Sequence, residues 1–205
     1  MDKMRKLYFK FQFTKEGPCM VQSGKTRFST IHLVMIALFV ALTAVCAQIT
    51  IPIGAVPVSL SLLPVLLCAM LLPLKDAVWA MVAYMLIGLA GAPVFSGLQG
   101  GPAKLFGVTG GYILGYIPCV ALTAWLVKTW KNRFLMNCLA MALGVLACYG
   151  FGTVWFMAVQ HVDFMKGLSL CVLPFLPFDA GKIVLAAVLS LRLRPILQRM
   201  VPGLE

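Results

Sequence analysis

Residues 30–74 read TIHLVMIALFVALTAVCAQITIPIGAVPVSLSLLPVLLCAMLLPL and contain no Asp, Glu, Lys or Arg. A helix needs roughly 20 apolar residues to cross about 30 Å of hydrocarbon, so this stretch is long enough for two spans. The prolines and the glycine of the segment 52–57 interrupt it, because both residue types disfavour a helix interior. The sequence therefore predicts one membrane helix over about 31–50 and a second over about 58–73.

The apolar pattern continues through the rest of the chain. Further helices are predicted from Lys75-Asp76 to about 90, over about 110–127, over about 134–159, and from Phe178 to about 192–194. The residues between 91 and 111 are rich in Gly and Pro and are not predicted to form one regular helix. We expect an all-α integral membrane protein with about six helices in one bundle, in which the Gly-rich outer loop closes a pocket.

The composition also favours a membrane protein. Hydrophobic residues make up 61% of the chain and charged residues 11%, and the mean hydropathy is +0.97. Soluble domains carry about 25% charged residues. The net charge of +11 comes from short Lys and Arg clusters between apolar runs, whereas nucleic-acid binding would require a basic stripe. We expect a multi-pass protein of the cell membrane, surrounded by the lipid bilayer, with no nucleic-acid partner.

The positions of the basic residues predict the orientation of the helices. Residues 1–29 are a basic N-terminal arm, and residues 30–205 follow as the membrane domain. With about six helices, the basic turn at 128–133 and the arginines near the C-terminal end lie on the same side as the arm. Lys104 and Lys166 lie on the other side. Because Lys and Arg concentrate on the inner side of membranes, both ends of the chain are predicted to be cytoplasmic.

Asp179 and Lys182 form the most informative polar pair in the sequence. They lie three residues apart at the predicted start of a helix, in an otherwise apolar run, and therefore on one helix face. Ionisable groups in a spanning helix are costly and usually face a partner, a cavity or a substrate. The pair could recognise a ligand, with the carboxylate accepting N–H bonds and the ammonium donating to an oxygen. An ion pair that only satisfies itself is the other interpretation.

The segment GAPVFSGLQGGPAKLFGVTGGY, residues 91–112, is the second candidate for ligand contact. Glycine allows the backbone to approach a ligand closely, although a purely structural turn would also explain these glycines. The candidate binding residues in this segment are Phe95, Ser96, Gln99, Gly100, Thr109 and Tyr112. The segment lacks the GxxxxGK[ST] pattern of a phosphate-binding loop, and no nucleotide site is predicted anywhere in the chain. If ATP drives transport, another subunit must therefore bind it.

Small residues on the first helix predict a packing face. Ala37, Ala41 and Ala44 form a stripe that allows another helix to approach closely, either within the bundle or from a partner. His32 and His161 lack metal-ligand spacing and are interpreted as lone residues at the membrane interface. No catalytic constellation, metal site or cofactor is predicted, and the chain is not expected to be an enzyme.

Several motifs together resemble those of a known family. Pro-Val-Phe-Ser-Gly at 93–97, Gly-Gly at 100–101, Thr-Gly-Gly-Tyr at 109–112 and Pro-Phe-Leu-Pro-Phe-Asp-Ala-Gly-Lys at 174–182 are similar to motifs of the BioY family. This family comprises the biotin-specific substrate-binding (S) components of energy-coupling-factor (ECF) vitamin transporters. The resemblance covers nearly the whole chain without its basic arm.

This resemblance implies a six-helix bundle that captures biotin from outside the cell. It also implies docking on a transmembrane coupling subunit driven by a pair of cytoplasmic ATPases. By matching position, Asp179 and Lys182 take the head-group-binding pair of the family, and the Gly-rich loop takes its lid and pocket wall. The alanines of the first helix match the face that meets the coupling subunit. The chain departs from the family pattern at 59–61, 107–109 and Phe178.

Biotin suits these residues because its ureido group carries two N–H donors and one carbonyl acceptor. A carboxylate beside an ammonium complements that edge, and aromatic walls suit the ring. Whether Lys182 meets the ureido group or the valerate carboxylate stays open at this point. The alternatives are an intramembrane enzyme that uses Asp179 as an acid or base, and a secondary transporter that couples an ion gradient to Asp179.

Overall fold

The computed structural model describes residues 30–51, 58–130, 133–163, 172 and 175–200. The predicted cytoplasmic arm at 1–29 and the predicted outer position of Lys166 lie outside these residues. The division of the chain into an arm and a membrane domain therefore stays a prediction.

The described chain is mostly helical, as predicted. Its elements in chain order are α1 (Thr30–Gln48), β1 (Thr50–Ile51), β2 (Val58–Ser59), α2 (Leu62–Leu71), α3 (Leu74–Leu89), α4 (Pro102–Leu105), α5 (Gly110–Leu114), α6 (Tyr116–Thr129), α7 (Phe134–Gln160) and α8 (Leu176–Met200). Three stretches of the described chain are long and apolar enough to cross a membrane by length and composition, namely α1, α5 together with α6, and α7. Helix α2 is apolar but shorter.

Two short strands lie at the predicted end of the first helix and at the predicted start of the second. Thr50 pairs with Ser59 and Ile51 pairs with Val58 in an antiparallel ladder. The first helix therefore ends at Gln48, and the second begins only at Leu62. A run of apolar residues does not distinguish a short strand from a helix, which explains the difference. This β1–β2 hairpin brings Ser59 toward the interior of the bundle.

Helices α5 and α6 continue one another through Gly115. The Gly115 N–H donates to the Gly111 carbonyl at 2.8 Å, and the Cys119 N–H donates to the Gly115 carbonyl at 3.1 Å. These are the i to i−4 bonds of an uninterrupted helix. The stretch corresponds to the helix predicted over about 110–127. Short helix α4 lies in the Gly-rich segment that precedes it.

Helix α2 occupies the centre of the bundle. It packs against α8, α6 and α1, and α7 packs against α6, α5 and α8. Nearly every residue of α2 is buried, which explains why it is apolar on all sides. Helices α6 and α7 approach closely, because a Cβ on Gly144 would lie 2.1 Å from Thr123 Oγ1.

Large apolar side chains remain exposed on the outside of the bundle. They lie on α1, α7 and α8 and include Leu38, Val45, Leu146, Val154 and Val188. So much exposed apolar surface would be a liability in water. It suits helices whose outer faces contact lipid.

His32 is not a lone histidine, contrary to the interpretation from sequence. Its Nδ1 contacts the Asp76 carboxylate, and the contact connects α1 to α3. Asp76 is buried, so its carboxylate lies inside the bundle. The two residues are 44 positions apart, and their contact could not be inferred from spacing.

Candidate binding site

The first two turns of α8 carry the ion pair that the sequence singled out. Lys182 Nζ donates to Asp179 Oδ1 at 2.7 Å. Both residues are buried, with 4% of Asp179 and 9% of Lys182 exposed. The carboxylate lies near the N-terminus of the helix, where the helix dipole favours negative charge. The predicted juxtaposition of the two charges is therefore present in the structure.

Tyr149 of α7 contacts the other oxygen of the same carboxylate. Its hydroxyl donates to Asp179 Oδ2. A buried carboxylate is costly unless it is paired and hydrogen-bonded. Here one oxygen has an ammonium partner and the other has a phenol partner, so the charge is held in a fixed position.

The polar contacts extend from Lys182 to the β1–β2 hairpin and α6. Lys182 Nζ donates to the Ser59 carbonyl oxygen at 2.7 Å. The Ser59 and Ser61 hydroxyls lie 2.6 Å apart, and Ser61 Oγ lies 2.6 Å from the Tyr116 hydroxyl. We call these six residues the polar network: Ser59, Ser61, Tyr116, Tyr149, Asp179 and Lys182. It connects elements that are far apart in the sequence.

Phe95 attaches the Gly-rich segment to α3. The ring is 0% exposed and packs edge-to-face on Tyr84, with centroids 5.6 Å apart. A Cβ on Gly88 would lie 2.1 Å from the Phe95 ring, so only glycine allows the ring to rest on the α3 backbone. The structure thus gives Phe95 an anchoring position, and its contact with a ligand stays a prediction.

Gln99 and Gly100 line a cavity together with Ala103 and Lys104. The cavity has a volume of about 340 Å³, near the lower end of the range of about 300–1,000 Å³ found for small-molecule sites. Burial lowers the pKa of the Lys104 ammonium from its ordinary value. The segment therefore places a partly desolvated cation beside an open concave surface.

The remaining residues of the predicted site lie around this segment. Ser96 is half-buried in the turn that the Phe95–Gln99 bridge closes. Thr109 precedes α5, and the Tyr112 hydroxyl lies 3.4 Å from Thr153 Oγ1 of α7. Contact of these residues with a ligand stays a prediction.

Sequence reasoning missed several residues of the site. Tyr149 and Tyr116 lie inside apolar helices, where a tyrosine hydroxyl needs a partner, so their polar groups were a usable signal. Ser59 acts on Lys182 through its backbone carbonyl, which carries no sequence signal. Lys104 was noted only as a topological marker.

The alanine stripe lies on a face that the described chain leaves largely open. Ala37 and Ala41 are exposed, and Ala44 is half-buried. Internal packing therefore does not account for the first two alanines within the described residues. Contact with a partner stays a prediction.

A helical bundle with an apolar exterior and a buried ion pair defines an integral membrane protein with an internal polar site. The family model described as the BioY family matches residues 20–199. The chain belongs to the BioY family.

Curated relatives agree with this assignment. The chain is 38% identical over 160 residues to the probable biotin transporter BioY of Pyrococcus horikoshii, covering 78% of this chain and 94% of that protein. It is 35% identical over 161 residues to the biotin transporter BioY2 of Lactococcus lactis subsp. cremoris, covering 78% and 88%. It is also 35% identical over 165 residues to the biotin transporter BioY of Thermotoga maritima, covering 80% and 96%.

A solved structure has the same fold. The crystal structure of the S-component for biotin from an ECF-type ABC transporter superposes with a TM-score of 0.76 at 25% identity, covering 80% of this chain and 91% of that one. These relatives are named as transporters. They confirm the resemblance stated from the motifs, the prediction of a multi-pass membrane protein, and the prediction that the chain is not an enzyme.

Proposed function

We propose that this chain is the biotin-capturing S component of an ECF transporter. The buried ion pair of Asp179 and Lys182 carries the proposal, because ionisable groups in the interior of a membrane bundle usually mark the site of a polar solute or ion. The relatives named as biotin transporters support the choice of solute. Biotin is then the transported ligand and not a cofactor.

The unused hydrogen-bonding capacity of the pair matches the ureido group. Each carboxylate oxygen of Asp179 already accepts one bond from the protein. A carboxylate has about four lone-pair sites, so each oxygen can accept one more N–H. Among the described residues, Lys182 uses two of its three donors, on Asp179 and on the Ser59 carbonyl. One spare carboxylate acceptor beside the spare ammonium donor is the complement of an N–H group and the adjacent carbonyl on one edge of the ureido ring.

This count assigns Lys182 to the ureido carbonyl, the question left open from sequence. The valerate carboxylate then needs another cation. We assign it to Lys104, which lines the cavity with Gln99 and Gly100. A charge-assisted bond between ammonium and carboxylate is stronger than a neutral one, especially where water is partly excluded.

The proposal includes the orientation of the bundle and its partners. About six spans with both ends in the cytoplasm would agree with the placement of Lys and Arg. The Gly-rich segment would then lie on the outer side, where it closes the pocket. A transmembrane coupling subunit and paired cytoplasmic ATPases would supply energy, because this chain has no phosphate-binding motif. Alternatives based on Asp179 as a catalytic acid or as an ion-coupling group are not favoured by the relatives.

Calorimetric titration of the purified chain in lipid nanodiscs tests the ligand. We expect saturable binding of one biotin, with no binding of thiamine, because thiamine does not present the ureido edge. Biotin methyl ester should bind more weakly than biotin if Lys104 meets the carboxylate. Absence of biotin binding would refute the proposed function.

Substitution of Ala41 by Trp tests the proposed partner face. Ala41 is exposed on α1, and a bulky side chain would keep a partner helix at a distance. We expect uptake of labelled biotin into cells to be abolished, and binding by the purified chain to stay within about twofold of the unaltered chain. Leu42→Trp, at an exposed position of α1 that points away from the alanine stripe, is the matched control and should leave uptake unchanged. Equal uptake by Ala41→Trp and the unaltered chain would contradict the assignment.

A further inference from the structure

The side-chain amide of Gln48 connects the end of α1 to the Gly-rich segment. Its Nε2 donates to the carbonyl oxygens of Pro93 and Phe95, both at 3.2 Å, and its Oε1 accepts from the Leu98 N–H at 2.8 Å. The same Nε2 lies 3.1 Å from the Ala44 carbonyl within α1, so its two N–H groups are shared among three carbonyl acceptors. One side chain thus satisfies donors and acceptors of the segment's backbone, as a neighbouring strand would.

The turn that Gln48 contacts has an unfavourable backbone conformation. Gly97 has a φ of 77° and Leu98 a φ of 55°. The left-handed region is disfavoured for a residue with a Cβ. The Leu98 side chain is 71% exposed, so apolar burial does not offset this cost. The hydrogen bond from its N–H to Gln48 therefore helps to stabilise the turn.

Gln48 also lies between the two parts of the proposed binding site. The turn ends at Gln99, which lines the cavity with Lys104. In the other direction, β1 begins two residues after Gln48 and pairs with β2, whose Ser59 carbonyl accepts from Lys182. Loss of the Gln48 contact would thus weaken one connection between the cavity side and the polar network.

We propose that Gln48 is a positioning residue for biotin, which holds the turn at 95–99 in place against the bound ligand and so limits how fast the ligand leaves. This inference rests on the proposed function. Helix α1 also carries the exposed Ala37 and Ala41. A coupling subunit that displaced α1 would move Gln48 relative to the turn, and this difference between the two states would favour release.

The test combines hydrogen–deuterium exchange with biotin dissociation in the purified full chain. In Gln48→Met both halves of the contact are lost. We expect faster exchange at 95–99 without biotin, and dissociation of tritiated biotin about tenfold faster, the change that loss of about one hydrogen bond predicts. Gln48→Glu keeps an acceptor for the Leu98 N–H but has no donor, and it should fall between. Gln160→Met, at the exposed last residue of α7, is the matched control and should change neither quantity.

Each outcome decides the inference. Faster exchange with unchanged dissociation would overturn it, because the turn would then have no influence on the ligand. Unchanged exchange in Gln48→Met would overturn it as well, as would a lowered melting temperature with unchanged dissociation, the mark of a purely structural contact. If Gln48→Met cannot be purified, Gln48→Glu decides between the same results. Absence of biotin binding by the unaltered chain would overturn the proposed function too, whereas the other results concern Gln48 alone.

Discussion

The polar network and the Gly-rich segment contribute to one proposed site but are held in place in different ways. The network consists mainly of side-chain contacts among α6, α7, α8 and residues 59–61, and its Lys182–Ser59 contact, to the Ser59 backbone carbonyl, spans 123 positions. The Gly-rich segment is held by contacts to its backbone. Gln48 bonds three of its backbone groups, the Tyr84 hydroxyl donates to the Val94 carbonyl, and Trp155 Nε1 donates to the Gly107 carbonyl.

The difference follows from the cost of burying charge. Asp179 and Lys182 must keep hydrogen-bonded partners wherever they lie in the interior, so the elements around them are specified by side chains. The Gly-rich segment carries few buried charges and uses glycine to bring backbone close to its neighbours. Substitutions of the charged pair should therefore change affinity most, and substitutions around the segment should change it less.

The largest effect is expected at the ion pair. Asp179→Asn removes the charge that accepts N–H bonds, and Lys182→Met removes the ammonium. A hydrogen bond to a charged group contributes about 1.5–3 kcal/mol, so each change should weaken biotin binding about ten- to a hundredfold. Calorimetry on the purified variants measures the loss.

The exposed Asp163 and Lys128 offer matched controls. Asp163→Asn and Lys128→Met make the same chemical changes away from the network and should leave the affinity as it is. Unchanged affinity in both Asp179→Asn and Lys182→Met would show a structural ion pair and remove the basis of the comparison.

The sequence predicted the ion pair for a physical reason. Charged residues are rare in apolar runs, and a spacing of three places them on one helix face. It could not predict Tyr149 as the third member, since that contact depends on how α7 packs on α8. The β1–β2 hairpin was missed because Val58 and Ser59 begin an apolar run, residues 58–73, that fits a helix equally well. The glycines predicted the position of the loop. Its attachment through Gln48 could not be predicted, because the contacts are made to backbone groups, which every residue has.

A smaller and more selective effect is expected at Lys104. If Lys104 meets the valerate carboxylate, Lys104→Met should weaken biotin binding about tenfold. The same variant should bind biotinamide, which has no carboxylate charge, as well as the unaltered chain does. Competition of each compound against tritiated biotin gives both affinities. An equal loss for biotin and biotinamide would mean that Lys104 supports the segment and does not read the carboxylate.

The smallest effect, and the one that most sharpens the comparison, is expected for Tyr149→Phe. The substitution keeps the ring and removes only the hydroxyl that donates to Asp179 Oδ2. The carboxylate oxygens of Asp179 have lone pairs left for the ligand, and the Tyr149 hydroxyl would hold these oxygens in the orientation that binding needs. Loss of the hydroxyl should then lower the affinity about three- to tenfold. If instead the hydroxyl competes with the ligand for that oxygen, its removal should tighten binding, and this result would contradict our count of acceptor sites.

A double-mutant cycle separates the direct from the indirect effect of Tyr149 on biotin affinity. In the Asp179→Asn background, Tyr149→Phe should lower the affinity much less than it does alone, because the two residues act through one contact. Independent losses that simply add would show that Tyr149 contributes to the pocket in another way, and the polar network would then reach the ligand only through Asp179 and Lys182.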